Sequence, residues 1–379
     1  MYFLPASPQT RPQGDKDGRG RKVQDIHHTT SILATHRRVP ARRWGLLAKA
    51  LLLLALTGAV PATAALRGPS VPTPAPLTFG ILPIGGPAES LTAWRPMLDD
   101  MEHALRQPVR SISVSTYEGL AQALNEERVD IAFVSGRLAL QAVTQDRMQV
   151  IAQLTRGDGS HGYNAVLLVR RDSPLHSVAD LLRKPGHWRY ARGEALSVSG
   201  YLVPETQIFA SRNLDSDTFF ATVAIDNHQN NALAVANGEV DVATNNTADM
   251  QRFAQHFPDQ FSRLRVLWTS TLIPHAVIVV RRDLDPAVRR AIVTFVTSYA
   301  RTGPHVAAEL EKLKRIHDIS GFAPAGNSAL APFADIDYQL DRRRALNAQW
   351  VSPAALQARL EKIASDHRQL LQQLRANKP

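Results

Sequence analysis

From residue 77 onward, apolar positions follow two alternating rhythms. Short runs rich in β-branched residues, LTFGILPI, SISVST and VDIAFVSG, have the length and flanking turn residues of strands. Between them, SLTAWRPMLDDMEHAL, YEGLAQALNEE and RLALQAVTQ place apolar residues at helical spacing. The strand VIAQL closes this group, and a Gly-rich turn, GDGSHGYN, follows. A second set then begins with AVLLVRR and continues through HWRYARG, a serine-bearing turn, FFATVAI, NNALAVANGE, VDVATNN and RVLWTS. Strands alternating with helices predict βα units and a parallel sheet. In both sets a helix ends and the chain enters a strand through Val-Asp, which predicts two lobes of similar architecture. After LIPHAVIVVRRDL, two helical segments at about 286–301 and 304–317 are expected to return to the first lobe. In such α/β folds the ligand cleft lies at the carboxyl ends of the strands.

The ends of the chain carry separate signals. RRVPARRWGLLAKALLLLALTGAVPATA combines a cationic flank, an apolar run from Leu46 to Val60 and small residues at Ala62 and Ala64. That is the layout of a secretory signal peptide cleaved after Ala64; Lys49 interrupts the run, which is short for a membrane span. ALRGPSVPTPAP reads as a proline-rich linker. The expected division is 1–64 extension and signal peptide, 65–76 linker, 77–162 first lobe completed by 276–340, 163–275 second lobe and 341–379 C-terminal helix. In that last helix, Leu356, Leu360, Ile363, His367, Leu370 and Leu374 recur at spacings of four and three. The pattern suits either a coiled-coil seam joining two chains or a helix lying on its own lobe.

Charge distribution narrows the function. The net charge of +10 suggests nucleic acid, yet residues 1–64 hold 10 Lys/Arg against 3 Asp/Glu, and the remainder holds 34 against 31. The folded part is nearly balanced and offers no basic groove for a phosphate backbone. The chain has no cysteine, which excludes disulfides, thiolate–metal sites and a thiol nucleophile. No nucleophile elbow, zincin helix, Walker loop or dinucleotide fingerprint occurs, so neither an enzyme nor a cofactor or metal site is expected. A secreted enzyme acting on phosphate esters through His228 and Asp249 is the competing enzymatic reading.

The candidate chemistry is anion binding. In EALSVSGYLVPETQ, Ser197, Val198, Ser199 and Gly200 follow an apolar run and open a helix. First-turn N–H groups and hydroxyls can hold an anion there, although Ser197 can equally be an ordinary cap. Pro204 should bend this helix. Tyr117 stands after a strand, Tyr163 after the Gly-rich turn, and His228 at a helix start. Each is individually as compatible with packing or exposure as with ligand contact.

Taken together, GDGSHGYNAVLLVRRDSPLHSVADLL, SVSGYLVP, HQNNALAVANGEVDVATNNTADM and LRVLWTSTLIPHAVIVVRRDL resemble the periplasmic substrate-binding proteins of phosphonate ABC transporters, in order from about Leu77 to Arg301. The resemblance implies a type II-like periplasmic binding fold, with two α/β lobes around a ligand cleft and a C-terminal helix. It implies capture of a phosphonate, phosphite or phosphate for a membrane permease; another small anion such as a sulfonate is the alternative. In that family a Ser-Thr-Ser helix start, two tyrosines and a histidine hold the phosphonate oxygens. Carried over by motif, these become Ser197, Val198, Ser199, Tyr117, Tyr163 and His228. Val198 replaces the threonine. Gly85 and Gly86, in PIGGPAES, replace a hydroxyl-rich segment and offer backbone N–H groups. The two carboxylates that receive a ligand ammonium fall at Ala248 and Ala276, so 2-aminoethylphosphonate is expected to be disfavoured.

Overall fold

Eleven strands are arranged in two sheets in the computed structural model, which describes residues 74–376 apart from Gly85, Asp146 and His317. The expected signal peptide, Gly85 and most of the linker lie outside the described residues. The strands are β1 (Leu77–Ile81), β2 (Val109–Ser113), β3 (Ile131–Val134), β4 (Met148–Arg156), β5 (Gly162–Arg170), β6 (Arg189–Arg192), β7 (Thr222–Ile225), β8 (Val242–Asn246), β9 (Leu264–Pro274), β10 (Val277–Arg281) and β11 (Ile319–Pro324). The first sheet has the order β11-β4-β10-β3-β1-β2 and the second β7-β6-β8-β5-β9.

The sheets are mixed, which corrects the expectation of parallel ones. β1 pairs in parallel with β2 and β3, and β6 with β7 and β8. β10, by contrast, runs antiparallel between β3 and β4, and β5 runs antiparallel to both β8 and β9. The cause is the route of the chain. It leaves the first sheet at the end of β4 and returns from β9 to β10 across two residues, so the returning strand enters reversed.

Buried residues account for the elements. Phe79, Ile81, Ile131, Phe133, Val279 and Val280 fill the first sheet, with Trp94, Met97 and Met101 from the helix Pro87–Leu105 packed against them. The two late helices are Pro286–Ser298 and Val306–Lys314; the first ends early because Ala300 takes a left-handed φ of 57°. No helix among the described residues is long and apolar enough to cross a membrane.

The C-terminal region differs from expectation in two ways. A helix Ala331–Asn347 runs through residue 341, and only Pro353–Ala376 forms the last helix. The leucine seam faces its own chain. Ile363 and Leu374 are buried, and Leu370 packs on the main core. His367 Nε2 lies 2.9 Å from Asp335 Oδ1, with its ring edge-on to Tyr338 at 4.5 Å. Of the two readings of the leucine spacing, the helix lying on its own chain is the one these contacts match, and nothing among the described residues supports a homodimer through it.

Candidate functional site

Five strands deliver their carboxyl ends to one place, and the helix or turn that follows each strand supplies the side chains there. After β2, Thr116 caps the helix Tyr117–Asn125 by accepting from Gly119 N at 3.0 Å. After β3, Ser135 caps the helix Gly136–Thr144. After β6 comes the serine turn. After β7, Asn227 caps the helix His228–Ala236, and after β8, Asn246 caps the helix Thr247–His256. Capping residues directly after a strand bring the helix starts, with their unpaired N–H groups and positive dipole ends, to the same side of the molecule.

The space enclosed there is a cavity of about 70 Å³, several times the roughly 10–15 Å³ that one water molecule requires. All six sequence-derived residues, Tyr117, Tyr163, Ser197, Val198, Ser199 and His228, line it. Gly86 does not; it sits at the cap of the helix Pro87–Leu105, and Leu82 and Ile84 form that wall instead.

Ser197 both caps and lines the cavity. Its Oγ accepts from Gly200 N at 3.1 Å, while the Tyr117 phenol is within hydrogen-bonding reach of the same hydroxyl. Ser199 lies near the Tyr163 phenol, and its Oγ is 3.2 Å from His228 Nε2 and 3.4 Å from Asn246 Nδ2. Burial pushes both phenols well above their ordinary range, so they remain protonated donors at neutral pH. Burial also holds His228 below the usual imidazole value, keeping it neutral. His228 Nδ1 is buried with no hydrogen-bond partner among the described residues. The lining thus offers neutral hydroxyl and imidazole groups, the chemistry that receives an oxyanion without a counter-ion.

The helix that starts at Val198 is unusual. Its turns are π-type over Val198–Leu202 and Glu205–Phe209, and Pro204 lies between them without ending the helix. The Gly200 carbonyl lies one turn before the proline, which has no N–H to offer it, and accepts instead from Gly193 N at 2.9 Å and Thr244 Oγ1 at 2.8 Å. The missing helix bond becomes a tether between the turn, the end of β6 and β8. Arg192 braces it from behind, with a 2.8 Å bond to Asp217, a 2.8 Å bond to Gly193 O and its guanidinium 4.5 Å from the Tyr201 ring centre.

Val198 is 2 % exposed and belongs to the same apolar cluster as Leu82, Phe133 and Leu154 of the first sheet. The residue where the family pattern has threonine is therefore a buried apolar member of the core cluster that also holds the first sheet.

Sequence reasoning passed over several residues at the site. Ser135, Arg156 and Asn246 line the cavity, as does Asp249, which the sequence offers only for the enzymatic reading. Asn246 holds Asp249 Oδ2 at 2.7 Å while accepting from Asp249 N at 2.8 Å, a reciprocal cap. The charge of Asp249 acts on Tyr117, Tyr163 and His228. Ala248, Ala276 and His275 also line the cavity. Behind it, Glu194 extends from the loop after β6 and accepts from Tyr117 N at 3.0 Å through each oxygen and from Glu118 N at 3.4 Å. The Asn-Asn-Thr segment was a legible capping signal for Asn246; nothing local marks Arg156 or Glu194. No group of three or more His, Asp or Glu placed to hold a metal ion occurs among the described residues.

Comparison with known proteins gives consistent results. A family model described as "ABC transporter, phosphonate, periplasmic substrate-binding protein" matches residues 79–330. The chain is 38% identical over 237 residues to the phosphonates-binding periplasmic protein of Escherichia coli (strain K12), covering 62% of this chain and 70% of that protein. Its structure is similar to the crystal structure of a binding protein component of an ABC phosphonate transporter from Pseudomonas aeruginosa, with a TM-score of 0.74, 28% identity and coverage of 79% of this chain and 98% of that one. A protein from Prochlorococcus marinus solved in complex with methylphosphonate shares the fold, with a TM-score of 0.61, 17% identity and coverage of 70% and 98%.

Proposed function

Because this chain belongs to the periplasmic substrate-binding family of phosphonate ABC transporters, we propose that its cavity holds the phosphorus end of a phosphonate, or of the related phosphite or phosphate ion. The family places it in the periplasm as the solute-binding component of an importer. A signal peptide ending at Ala64 and a dedicated permease partner complete the proposal. The observation that carries the ligand reading is the convergence of Tyr117, Tyr163, Ser197, Ser199 and His228 on one cavity. Each is a neutral hydrogen-bonding group, and together they come from both sheets.

In this reading the ligand oxygens accept from the hydroxyls of Ser197 and Ser199, from the two phenols and from His228, while first-turn N–H groups add field. The segments 77–162 with 276–340 form one lobe and 163–275 the other, and the ligand stabilises their closure by bridging them.

Titration calorimetry with methylphosphonate, phosphite and phosphate tests this. Ser199→Ala, Tyr117→Phe and His228→Ala each lose one donor to an anion and are expected to weaken binding by roughly ten- to a hundredfold. Unchanged affinity in all three places the ligand elsewhere, and binding of alkanesulfonates alone replaces the phosphorus ligand with a sulfonate.

Val198→Thr separates the two roles of that position. A buried hydroxyl without a partner costs the unliganded protein about 1–3 kcal/mol, read as a lower midpoint in urea. Methylphosphonate at saturation is expected to recover part of this loss by accepting from the new hydroxyl. A variant as stable as the parent without ligand contradicts the apolar role of Val198.

A further inference from the structure

The geometry points to a substrate class for this cavity: phosphonates whose substituent carries a second, acidic group, read by Arg156. The inference rests on the cavity being the phosphonate site and concerns its opposite end. Arg156 is the last residue of β4, and its side chain is 7% exposed. It lines this cavity of about 70 Å³ and also a larger groove beside it, as does Ala248. Arg156 and Ala248 therefore mark the mouth where the cavity opens into the groove. Ser199 and Asp249 line the cavity and not that groove. One side-chain amide, Asn246 Nδ2, reaches both Ser199 Oγ and Asp249 Oδ2, at 3.4 and 2.7 Å, so Asp249 is tied to the serine side of the cavity. A substituent directed away from the serines leads to the mouth and meets a guanidinium.

The surroundings suit an incoming carboxylate. Arg156 reaches across to Gln251 Oε1 at 3.1 Å, a neutral partner on the helix Thr247–His256. Its carboxylate partner Asp318 lies at 3.7 Å with a side chain 70% exposed, so Asp318 can return to water at little cost when a ligand carboxylate takes its place. Of the groove's other acids, Glu89 pairs with Arg252, and Asp158 accepts from Ser160 N at 2.9 Å while also feeling the charge of Arg156. His275, on the same wall, is held below the usual imidazole value, chiefly by burial and further by Arg156, so it adds a neutral group. A planar guanidinium matches a carboxylate through parallel N–H donors, whereas an ammonium at this position meets a like charge.

The test is calorimetry on the whole protein with methylphosphonate, ethylphosphonate, phosphonoacetate and 2-aminoethylphosphonate. Phosphonoacetate is expected to bind roughly ten- to a hundredfold tighter than ethylphosphonate, whose smaller substituent is uncharged, with 2-aminoethylphosphonate weakest. In Arg156→Gln the phosphonoacetate-to-ethylphosphonate ratio should collapse towards one. Arg156→Lys keeps the charge without the fork, should retain part of the ratio, and serves if the glutamine variant does not fold. Ethylphosphonate binding as tightly as phosphonoacetate, or a ratio that survives in folded Arg156→Gln, overturns the inference while leaving the phosphonate site standing. Failure of all four ligands to bind removes both.

Discussion

Gly200→Ala is expected to lower affinity for methylphosphonate by at least about a hundredfold, the equivalent of losing two hydrogen bonds to an anion. A Cβ at residue 200 would lie 2.6 Å from Ser197 Oγ and 2.8 Å from Gly193 Cα. The second contact is backbone and cannot rotate away. Gly193 and Gly200 lie this close because the Gly193 N–H bonds the Gly200 carbonyl, whose own helix donor is missing at Pro204. The methyl must therefore separate the end of β6 from the serine turn or displace the Ser197 hydroxyl. Either change moves both serines relative to Tyr117 and Tyr163, which a site held to about half an ångström does not tolerate. Overpacking of this kind costs about 1–3 kcal/mol of stability as well. Calorimetry and a thermal melt read the two effects separately. An alanine variant that binds as the parent does would show that the serine turn is not the anchor.

Glu194→Ala is expected to weaken binding by roughly tenfold or more, although Glu194 is not among the residues lining the cavity. Its carboxylate spans from the loop after β6 to the first turn of the helix after β2, where it accepts from the N–H groups of Tyr117 and Glu118. Acceptors with negative charge at a helix start are the strong kind. The bond joins residues 77 apart in the chain and links the two sheets. It exists only when they are together, so losing it disfavours the arrangement that binds ligand. Glu194→Gln keeps an acceptor without the charge and should fall between the parent and the alanine variant. The check is affinity for methylphosphonate together with the radius of gyration from small-angle scattering. The alanine variant should be more expanded than the parent at subsaturating ligand and equally compact at saturation. Parental affinity and dimensions in Glu194→Ala would mean that this contact plays no part in closure.

Much of the framework was legible because it depends on neighbours in the chain. Alternating strands and helices, Ser, Thr and Asn caps after strands, and the serine turn are all patterns within about four residues. Tyr117, Tyr163, Ser197, Val198, Ser199 and His228 were named individually from such patterns and collectively from their order. Sheet direction was not legible. A run such as AVLLVRR specifies a buried strand, but whether it lies parallel depends on where the chain crosses between sheets. The leucine spacing of the last helix was equally ambiguous. The same stripe covers a partner or its own lobe, and only the position of the helix Ala331–Asn347 decides that it lies on its own chain.

The sequence by itself determined two alternating α/β sets, a capped serine turn with glycine at its close approach, and the types of donor available to an anion. The tertiary structure alone decided what those groups face. It buried Val198 in the lining of the same cavity as Leu82 and Phe133, set Asn246 between Ser199 and Asp249, carried Glu194 to the start of a distant helix and placed Arg156 at the cavity mouth. The reason is range. Backbone preferences and caps act between residues close in sequence, while burial, charge and hydrogen bonding act through space between loops that only the completed sheets bring together.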